Sequence, residues 1–158
     1  MLTLHRLTVR TAGLRTVQGT ALQTWTVAPQ FGDPPAAATL RADLIRALDG
    51  SLNAASRLAR RPAPARRRRP AAAPAQVLVI DGASEFSSVI EVRAHDTPGL
   101  LHTVASALTT LGVSVVSARV QTLGADAVDV FYLQTAAGTP PTPARATGIA
   151  SAVRDALA

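Results

Sequence analysis

Apolar residues recur along the second half of the chain in two periods, one typical of strands and one typical of helices. Runs of β-branched and alternating apolar residues predict strands, whereas apolar residues three and four positions apart predict helices. After a short strand at 77–80, the order is strand, helix, strand, strand, helix, which indicates an α+β, ferredoxin-like fold with both helices on one sheet face. The predicted segments are strands 89–94, 113–121 and 126–134, a helix from Gly99 to Leu111, and a last helix carrying Ala146, Ile149, Ala150, Val153 and Leu157 on one side.

A polar corner joins strand 89–94 to the helix that follows it. Proline is tolerated in the first turn of a helix, and Asp96 or Thr97 can cap the free N–H groups beside Pro98. Gly99 has no side chain, so backbone N–H groups there stay reachable from outside. A helix start with free donors suits a carboxylate or amide oxygen. The alternative interpretation is an ordinary strand-to-helix turn that binds nothing.

The first sixty residues repeat part of this pattern. Segments 4–11 and 21–27 align with strand segments 115–122 and 127–133, and segment 39–48 repeats the closing helix. Such similarity indicates tandem modules, of which the first lacks its first strand and helix. Strand 77–80 is expected to close the first copy, which leaves the second copy without a fourth strand. The predicted domains are a partial module at 1–60, an Ala/Pro/Arg-rich linker at 61–75 and the C-terminal module at 76–158, as at the tail of a longer protein.

Positive charge concentrates in the middle of the chain. All 16 basic residues are arginines, the formal net charge is +6, and 7 of the arginines lie between Arg57 and Arg69. Interspersed prolines exclude a continuous helix there, which indicates a solvated linker. The alternative interpretation is that Arg66 to Arg69 bind nucleic acid or an acidic partner. No aromatic platform or recognition helix accompanies them, as sequence-specific nucleic-acid binding would require.

Composition excludes several classes of site. The chain has no cysteine, which excludes disulfides, thiolate metal sites and thiol nucleophiles. No apolar run approaches the ~20 residues of a membrane span, and no secretory signal follows Met1, so we expect a cytoplasmic protein without a membrane partner. His95 and His102 are expected to be a corner residue and an exposed helix residue rather than metal ligands. Asp126 and Asp129 are expected to face solvent or a sister module.

The run HDTPGLLHTVASALTTLGVSVVSARVQTLGADAVDVFYL resembles an ACT domain. Within that family it is similar to the C-terminal tandem ACT region of the bifunctional PII uridylyltransferase/uridylyl-removing enzymes, in particular the actinobacterial type. The most specific part is SARVQTLG followed by DAVDVFYL, after a first, poorer copy and a Pro/Arg linker. The resemblance implies a βαββαβ ACT domain preceded by a truncated ACT-like module. It also implies a regulatory module that senses an amino acid, with glutamine the leading ligand, and controls nucleotidylylation of the signalling protein PII and its removal.

The resemblance also implies a ligand site where two modules meet. Asp96 would cap or orient the loop, and the N–H groups of Gly99 and Leu100 would meet the polar end of the ligand. The start of the facing strand would supply the opposite wall, although ordinary sheet core is an equal interpretation for its valines. The implied ligand-binding residues are Asp96, Thr97, Pro98, Gly99, Leu100, Leu101, Val113, Ser114 and Val115.

The catalytic motifs of the resembled enzymes are not found in this sequence. Neither the G-S with paired aspartates of the nucleotidyltransferase nor the H-D signature of the hydrolase is present. We therefore expect the chain to be non-enzymatic and to need no cofactor, Mg²⁺ belonging only to the catalytic domains of a parent that transfers uridylyl or adenylyl groups.

The expected partners follow from the same resemblance. They are a small amino acid, a second copy or sister module in a homodimer or intramolecular pair, and PII through the parent. The alternative function is a dimerising interaction protein that binds nucleic acid or an acidic partner through the Arg-rich linker.

Overall fold

The computed structural model describes residues 1–60 and 73–158. The chain divides into two compact units, and each is described by itself. The first unit comprises Met1–Val9 and Val27–Ala71, and the second comprises Arg10–Thr26 and Ala72–Ala158.

The described residues contain the predicted strands and helices in the predicted order, and two short helical segments that were not predicted, Leu2–His5 and Ala54–Ala59. The strands are β1 Leu7–Val17, β2 Thr20–Pro29, β3 Gln76–Ile80, β4 Ser88–His95, β5 Ser114–Leu123 and β6 Asp126–Gln134. The helices are a 3₁₀ turn at Leu2–His5, then α1 Ala37–Leu48, α2 Ala54–Ala59, α3 Leu100–Thr110 and α4 Pro143–Ala156. The strands form one sheet in the order β2-β1-β5-β6-β4-β3.

Strand β6 lies at the centre of the second unit. It pairs antiparallel with β4 from Ser88↔Leu133 to His95↔Asp126, and antiparallel with β5 on its other side. Because strand side chains alternate between faces, this register places Ile90 and Phe131 side by side on one face. That face carries the hydrophobic core.

Helices α3 and α4 cover this one face of the sheet, which confirms the α+β, ferredoxin-like prediction. The core residues come from the strands and from both helices, and they are branched aliphatic residues, two alanines and one aromatic ring. The fully or nearly fully buried members are Ile90, Val92, Val104, Leu108, Phe131, Leu133, Ile149 and Val153.

Local sequence explains the two helices. In α3 the buried residues Leu100, Val104 and Leu108 recur every four positions and so lie on one side. In α4 the Thr142 hydroxyl accepts the Arg145 N–H at 3.4 Å, and Pro143 occupies the first turn, where its missing N–H costs nothing.

The expectation that strand 77–80 closes the first copy is wrong. β3 pairs antiparallel with β4 from Gln76↔Arg93 to Ile80↔Val89, within the second unit. It therefore occupies the fourth-strand position of the second module, although it precedes that module's other strands in the chain. A short apolar strand fits beside any free edge of suitable length, so its own pattern does not specify its neighbour.

The other outer strand of this module, β5, is also covered. β1 pairs antiparallel with β5 from Thr11↔Gln121 to Arg15↔Ser117. The sheet edges in the described chain are therefore β2 and β3.

The first unit departs from its prediction in two respects. The strand predicted at 4–11 begins only at Leu7, because residues 2–5 form the 3₁₀ turn and Arg6 takes a left-handed conformation with φ 55°. The predicted helix forms as α1, but none of its residues is buried, and Leu48 is 80% exposed. The apolar stripe of α1 thus lacks a covering layer within the described residues.

Most of the predicted linker, 61–75, lies outside the described residues, as do Arg61 and Arg66 to Arg69. The domain boundaries at 60 and 76 remain predictions.

The core assignment predicts unequal costs for two leucine truncations. Leu108→Ala, at a position 1% exposed, is expected to lower the free energy of unfolding by about 3 kcal/mol, because it removes buried methyl groups and leaves a cavity. The matched change Leu123→Ala, at a position 54% exposed, is expected to cost less than about 1 kcal/mol. Chemical denaturation followed by circular dichroism measures both, and equal costs would contradict the assignment.

Candidate functional site

The corner after β4 is held in place by the neighbouring hairpin. β4 ends where His95 faces Asp126 across the pairing with β6, and the next N–H, that of Asp96, donates to the Ala125 carbonyl at 2.8 Å. The Nδ1 atom of His95 lies 3.5 Å from Oδ1 of Asp126, so the side chains continue the backbone pairing. The backbone at the start of the corner is therefore fixed on its sheet side.

A tight turn follows at Thr97-Pro98-Gly99-Leu100. The Leu100 N–H donates to the Thr97 carbonyl at 3.1 Å, and Gly99 has φ 95° and ψ −2°. Proline at the second position and a left-handed residue at the third define a type II turn. A Cβ atom on Gly99 would meet nothing within 4 Å, so glycine is favoured by the backbone conformation and not by space.

This turn corrects two details of the predicted corner. Helix α3 is capped by Gly99 with no side-chain hydrogen bond, so neither Asp96 nor Thr97 is the cap. The Leu100 N–H is used by the turn and does not point to a ligand as a free donor. The T-P-G-L sequence has proline and glycine at the positions typical of a type II turn, and such a turn uses the N–H of its fourth residue, here Leu100.

Other donors remain at the start of α3. The first hydrogen bond into the helix runs from the Thr103 N–H to the Gly99 carbonyl at 2.9 Å. Leu101 and His102 therefore occupy first-turn positions, whose N–H groups have no acceptor inside the helix. These positions adjoin Gly99, whose lack of a side chain leaves the approach open.

A cavity of about 620 Å³ opens beside the corner within the second unit. One side is formed by His95, the turn and the first turn of α3, and the other by the end of α4 and the segment before β3. The polar side chains in its lining are His95, Thr97, Thr103, Arg154 and Asp155. The predicted corner residues Thr97, Pro98, Gly99 and Leu100 all line it.

The structure does not bring the second predicted wall to this corner within the chain. Val113 is buried in the core, whereas Ser114 is exposed and pairs with Gln134 at the far end of β6. The corner lies beside Asp126, at the opposite end of β6. Eight strand steps of ~3.4 Å lie between Asp126 and Gln134, so about 27 Å separate the corner from Ser114. That residues 113–115 bind a ligand stays a prediction, and it applies to a site to which another module contributes.

Asp129 is the residue that the sequence prediction placed wrongly. It was expected to face solvent or a sister module, but it is 0% exposed and lies on β6 between Val92 of β4 and Val120 of β5. The alternation of side chains along β6 indicates this burial, because Asp129 shares a face with the apolar residues Phe131 and Leu133. Asp126, by contrast, is exposed as expected.

The burial of Asp129 has an electrostatic consequence. Its Oδ1 accepts the Gln121 N–H at 3.4 Å, and its Oδ2 has no partner in the described residues. Burial, with a smaller contribution from the negative charge of Asp96, raises the pKa of Asp129 to about 7, although the Gln121 hydrogen bond opposes the rise.

Asp96 itself is partly buried at the corner. Burial raises the pKa of Asp96, and the positive charges of His95 and Arg10 oppose that rise. Asp96 is therefore a partly exposed carboxyl group, whereas Asp129 is a fully buried one.

Comparison with known proteins agrees with this fold. The ACT domain family matches residues 88–142, which include β4, the corner, α3, β5 and β6. This region belongs to the ACT domain family. It begins after β3, so the family match does not include the strand that the sequence had assigned to the first copy.

Relatives match over the wider chain. A Streptomyces coelicolor protein named bifunctional uridylyltransferase/uridylyl-removing enzyme is 49% identical over 165 residues, which cover 99% of this chain and 20% of that protein. A Mycobacterium tuberculosis protein of the same name is 35% identical over 145 residues, covering 83% of this chain and 18% of the relative. An Azospirillum brasilense protein of that name is 41% identical over 90 residues, covering 56% of this chain and 10% of the relative.

The predicted resemblance to the C-terminal ACT region of these enzymes is thereby confirmed. The chain spans about a fifth of the length of the first of these relatives. No solved structure gives a significant match.

Two other kinds of feature are absent from the described residues. They contain no group of three or more His, Cys, Asp or Glu residues that could hold a metal ion. None of the helices in residues 1–60 and 73–158 is both long and apolar enough to cross a membrane.

Buried Asp129 predicts a specific pH dependence of stability. Its pKa is higher in the folded chain than the ordinary value near 4, so the folded state binds the proton more tightly. Its contribution to the free energy of unfolding is present below about pH 4 and is lost as the pH rises toward 7, by about 2–4 kcal/mol. Asp129→Asn should flatten this fall, as measured by urea denaturation between pH 4 and 8.

Asp126→Asn is the matched control, since it removes an exposed carboxylate from the same strand. It should leave the fall in stability between pH 4 and 7 in place. A fall that is identical in the unaltered chain and in Asp129→Asn would show that Asp129 titrates normally.

Proposed function

We propose that this chain is a regulatory amino-acid-sensing module with glutamine as its ligand. The observation that carries the proposal is the corner after β4, where a type II turn within an ACT domain lines a cavity. Asp96 and the helix-start N–H groups of Leu101 and His102 are the neighbours of this turn in the chain. ACT domains as a family bind amino acids, and this chain's resemblance is to the ACT region of uridylyltransferase/uridylyl-removing enzymes.

The two ends of an amino acid match the two kinds of group at the corner. Its carboxylate suits the N–H groups of Leu101 and His102, because the start of a helix carries partial positive charge. Its ammonium group suits Asp96, which is only partly buried. A hydrogen bond between charged groups of this kind contributes about 1.5–3 kcal/mol.

In the longer protein, the module would report glutamine to catalytic domains outside this chain. The relatives' name pairs a uridylyltransferase with a uridylyl-removing activity, and the module would bias the balance between the two on the PII protein. Such a role requires no reacting group in the chain itself, in keeping with the expectation that it is non-enzymatic. The Arg-rich alternative falls largely on residues outside the described part of the chain, and nothing in the structure favours it.

Calorimetric titration with glutamine tests ligand binding. Saturable heat is expected with glutamine and much weaker heat with glutamate, whose side chain adds a negative charge beside Asp96. Asp96→Ala should weaken glutamine binding about 10-fold or more, since it removes an interaction with a charged group. Gly99→Val should also weaken binding, because a β-branched residue at φ 95° distorts the turn.

The turn between β3 and β4 offers matched controls. Asp81 is exposed, and Gly82 has φ 70° with open space around it, at the other end of β4 from the corner. Asp81→Ala and Gly82→Val should leave glutamine binding unchanged. No heat with any amino acid in a folded sample would contradict the proposal, and equal loss in the control variants would mean that stability, not the site, was altered.

We also propose that the chain forms a homodimer through a sheet edge. Among residues 1–60 and 73–158, β3 pairs with β4 alone, so its outer edge is open there, and Leu78 and Ile80 on it are 48% and 37% exposed. An open edge with apolar side chains is a template for another strand.

Light scattering tests the proposed dimer. It should give the mass of a dimer for the unaltered chain and of a monomer for Leu78→Lys, because a charge on an edge strand opposes pairing. Leu123→Lys, at an exposed position away from that edge, should remain dimeric. A monomer before any substitution would contradict the proposed dimer.

A further inference from the structure

The cavity beside the corner has a second wall, which the proposed function does not use. The end of α4 contributes two polar residues to its lining, Arg154 and Asp155. They are neighbours in the chain, and both are exposed to solvent, so neither belongs to the hydrophobic core. Both residues are therefore accessible to a molecule in the cavity.

The side chains of Arg154 and Asp155 contact one another. Nε of Arg154 lies 3.5 Å from Oδ1 of Asp155, and Nη2 lies at the same distance from the same oxygen. Nη2 also donates to the Ser151 hydroxyl at 2.9 Å, about one turn earlier in α4. The guanidinium group is thus held against α4 at two points, and the carboxylate beside it offsets its charge.

Each member of this pair keeps hydrogen-bonding capacity that these contacts do not use. A guanidinium group has five N–H donors and no acceptor, and the contacts described involve Nε and Nη2. An ionised aspartate has two acceptor oxygens, and both contacts with Arg154 reach Oδ1. The pair therefore presents the donors of Nη1 together with an acceptor, Oδ2 of Asp155.

A carboxamide group has the complementary arrangement. Its carbonyl oxygen accepts, its NH₂ group donates, and both are bonded to one carbon. A carboxylate has the same shape but only accepts, so it would suit Arg154 and bring a second negative charge beside Asp155. A donor and an anionic acceptor held side by side therefore favour an amide over an acid.

The cavity is large enough for a ligand that reaches both the corner and this pair. Its volume of about 620 Å³ falls within the ~300–1,000 Å³ of small-molecule sites, and turn 97–100 and the end of α4 both line it. The lining also includes the apolar residues Ala94, Leu100 and Leu157, which suit methylene groups. A molecule with polar groups at both ends and methylene groups between them matches this lining.

We propose that Arg154 and Asp155 determine the specificity of the site: they bind the side-chain carboxamide of the ligand, and Asp155 excludes the corresponding carboxylate. The inference deepens the proposed function and rests on it, since the corner would bind the ammonium and carboxylate groups that all amino acids share. The end of α4 then selects glutamine over glutamate.

Two aspartates would disfavour the negative side chain of glutamate, Asp96 at the corner and Asp155 on the second wall. Asp155→Asn removes the charge of the second alone and keeps the size of the side chain. It also supplies an NH₂ donor, which a carboxylate can use. The preference for glutamine should therefore depend on Asp155 even when the corner is unaltered.

Calorimetric titration of the unaltered chain and of each variant with glutamine and with glutamate tests this assignment. In Asp155→Asn, the preference for glutamine over glutamate should fall about 10-fold, mainly because glutamate binds more tightly. Arg154→Gln should weaken glutamine binding, because it removes the charged donor for the amide carbonyl.

Asp81→Asn and Arg119→Gln are the matched controls. Both positions are exposed and lie outside the lining of the cavity. Neither change should alter the preference for glutamine over glutamate. Thermal unfolding followed by circular dichroism should give similar midpoints for all four variants, since each replaces an exposed side chain.

The side-chain Nε–H signal of Arg154 gives a second measurement, made by NMR on the unaltered chain. Addition of glutamine should shift this signal saturably, with the same dissociation constant as the calorimetric titration. The Nε–H signal of Arg119 should stay in place.

The outcomes separate this inference from the proposed function. An unchanged preference in Asp155→Asn, with glutamine still bound, would overturn the inference and leave the proposed function standing. An Arg154 Nε–H signal that does not move at saturating glutamine would do the same. An absence of glutamine binding to the folded, unaltered chain would overturn the proposed function and this inference with it.

Discussion

The antiparallel pairing of β4 with β6 is the constraint on which the rest of the second unit depends. It aligns the apolar residues of both strands under α3 and α4, and its last pair, His95 with Asp126, fixes the place where the chain leaves the sheet. The Asp96 N–H then extends the pairing by one bond to Ala125, and the type II turn converts the strand direction into that of α3. The position of the corner therefore follows from the same pairing that aligns the core.

The same pairing explains why a polar residue is buried beside the corner. The register that places Phe131 and Leu133 in the core places Asp129 on the same face, two residues nearer to the corner. A hydrophobic residue there would pack without an unpartnered oxygen, so Asp129 costs stability when it is ionised.

Most elements, and the α+β fold, could be predicted from the sequence because their apolar periods are local and strong, as in α3 and β6. The partner of β3 could not, because a short apolar strand pairs with whichever edge is free, and that choice depends on the whole sheet. At the site, D-x-P-G predicted a corner at Asp96 to Leu101, of which Thr97 to Leu100 line the cavity and Asp96 and Leu101 do not. The T-P-G-L sequence indicated a turn that uses the Leu100 N–H, and the alternation of β6 indicated that Asp129 is buried. The prediction used neither indication.

The central claim is that the corner after β4 is the ligand site of this regulatory module. Amide NMR spectra recorded during addition of glutamine test it most directly, because each backbone N–H reports separately. The account predicts saturable shifts confined to the corner and the first turn of α3, above all at Gly99, Leu101 and His102, with little change along β3 and α4 residues 143–150. Saturable shifts centred elsewhere, or an unchanged spectrum of the folded chain at high glutamine concentration, would contradict it.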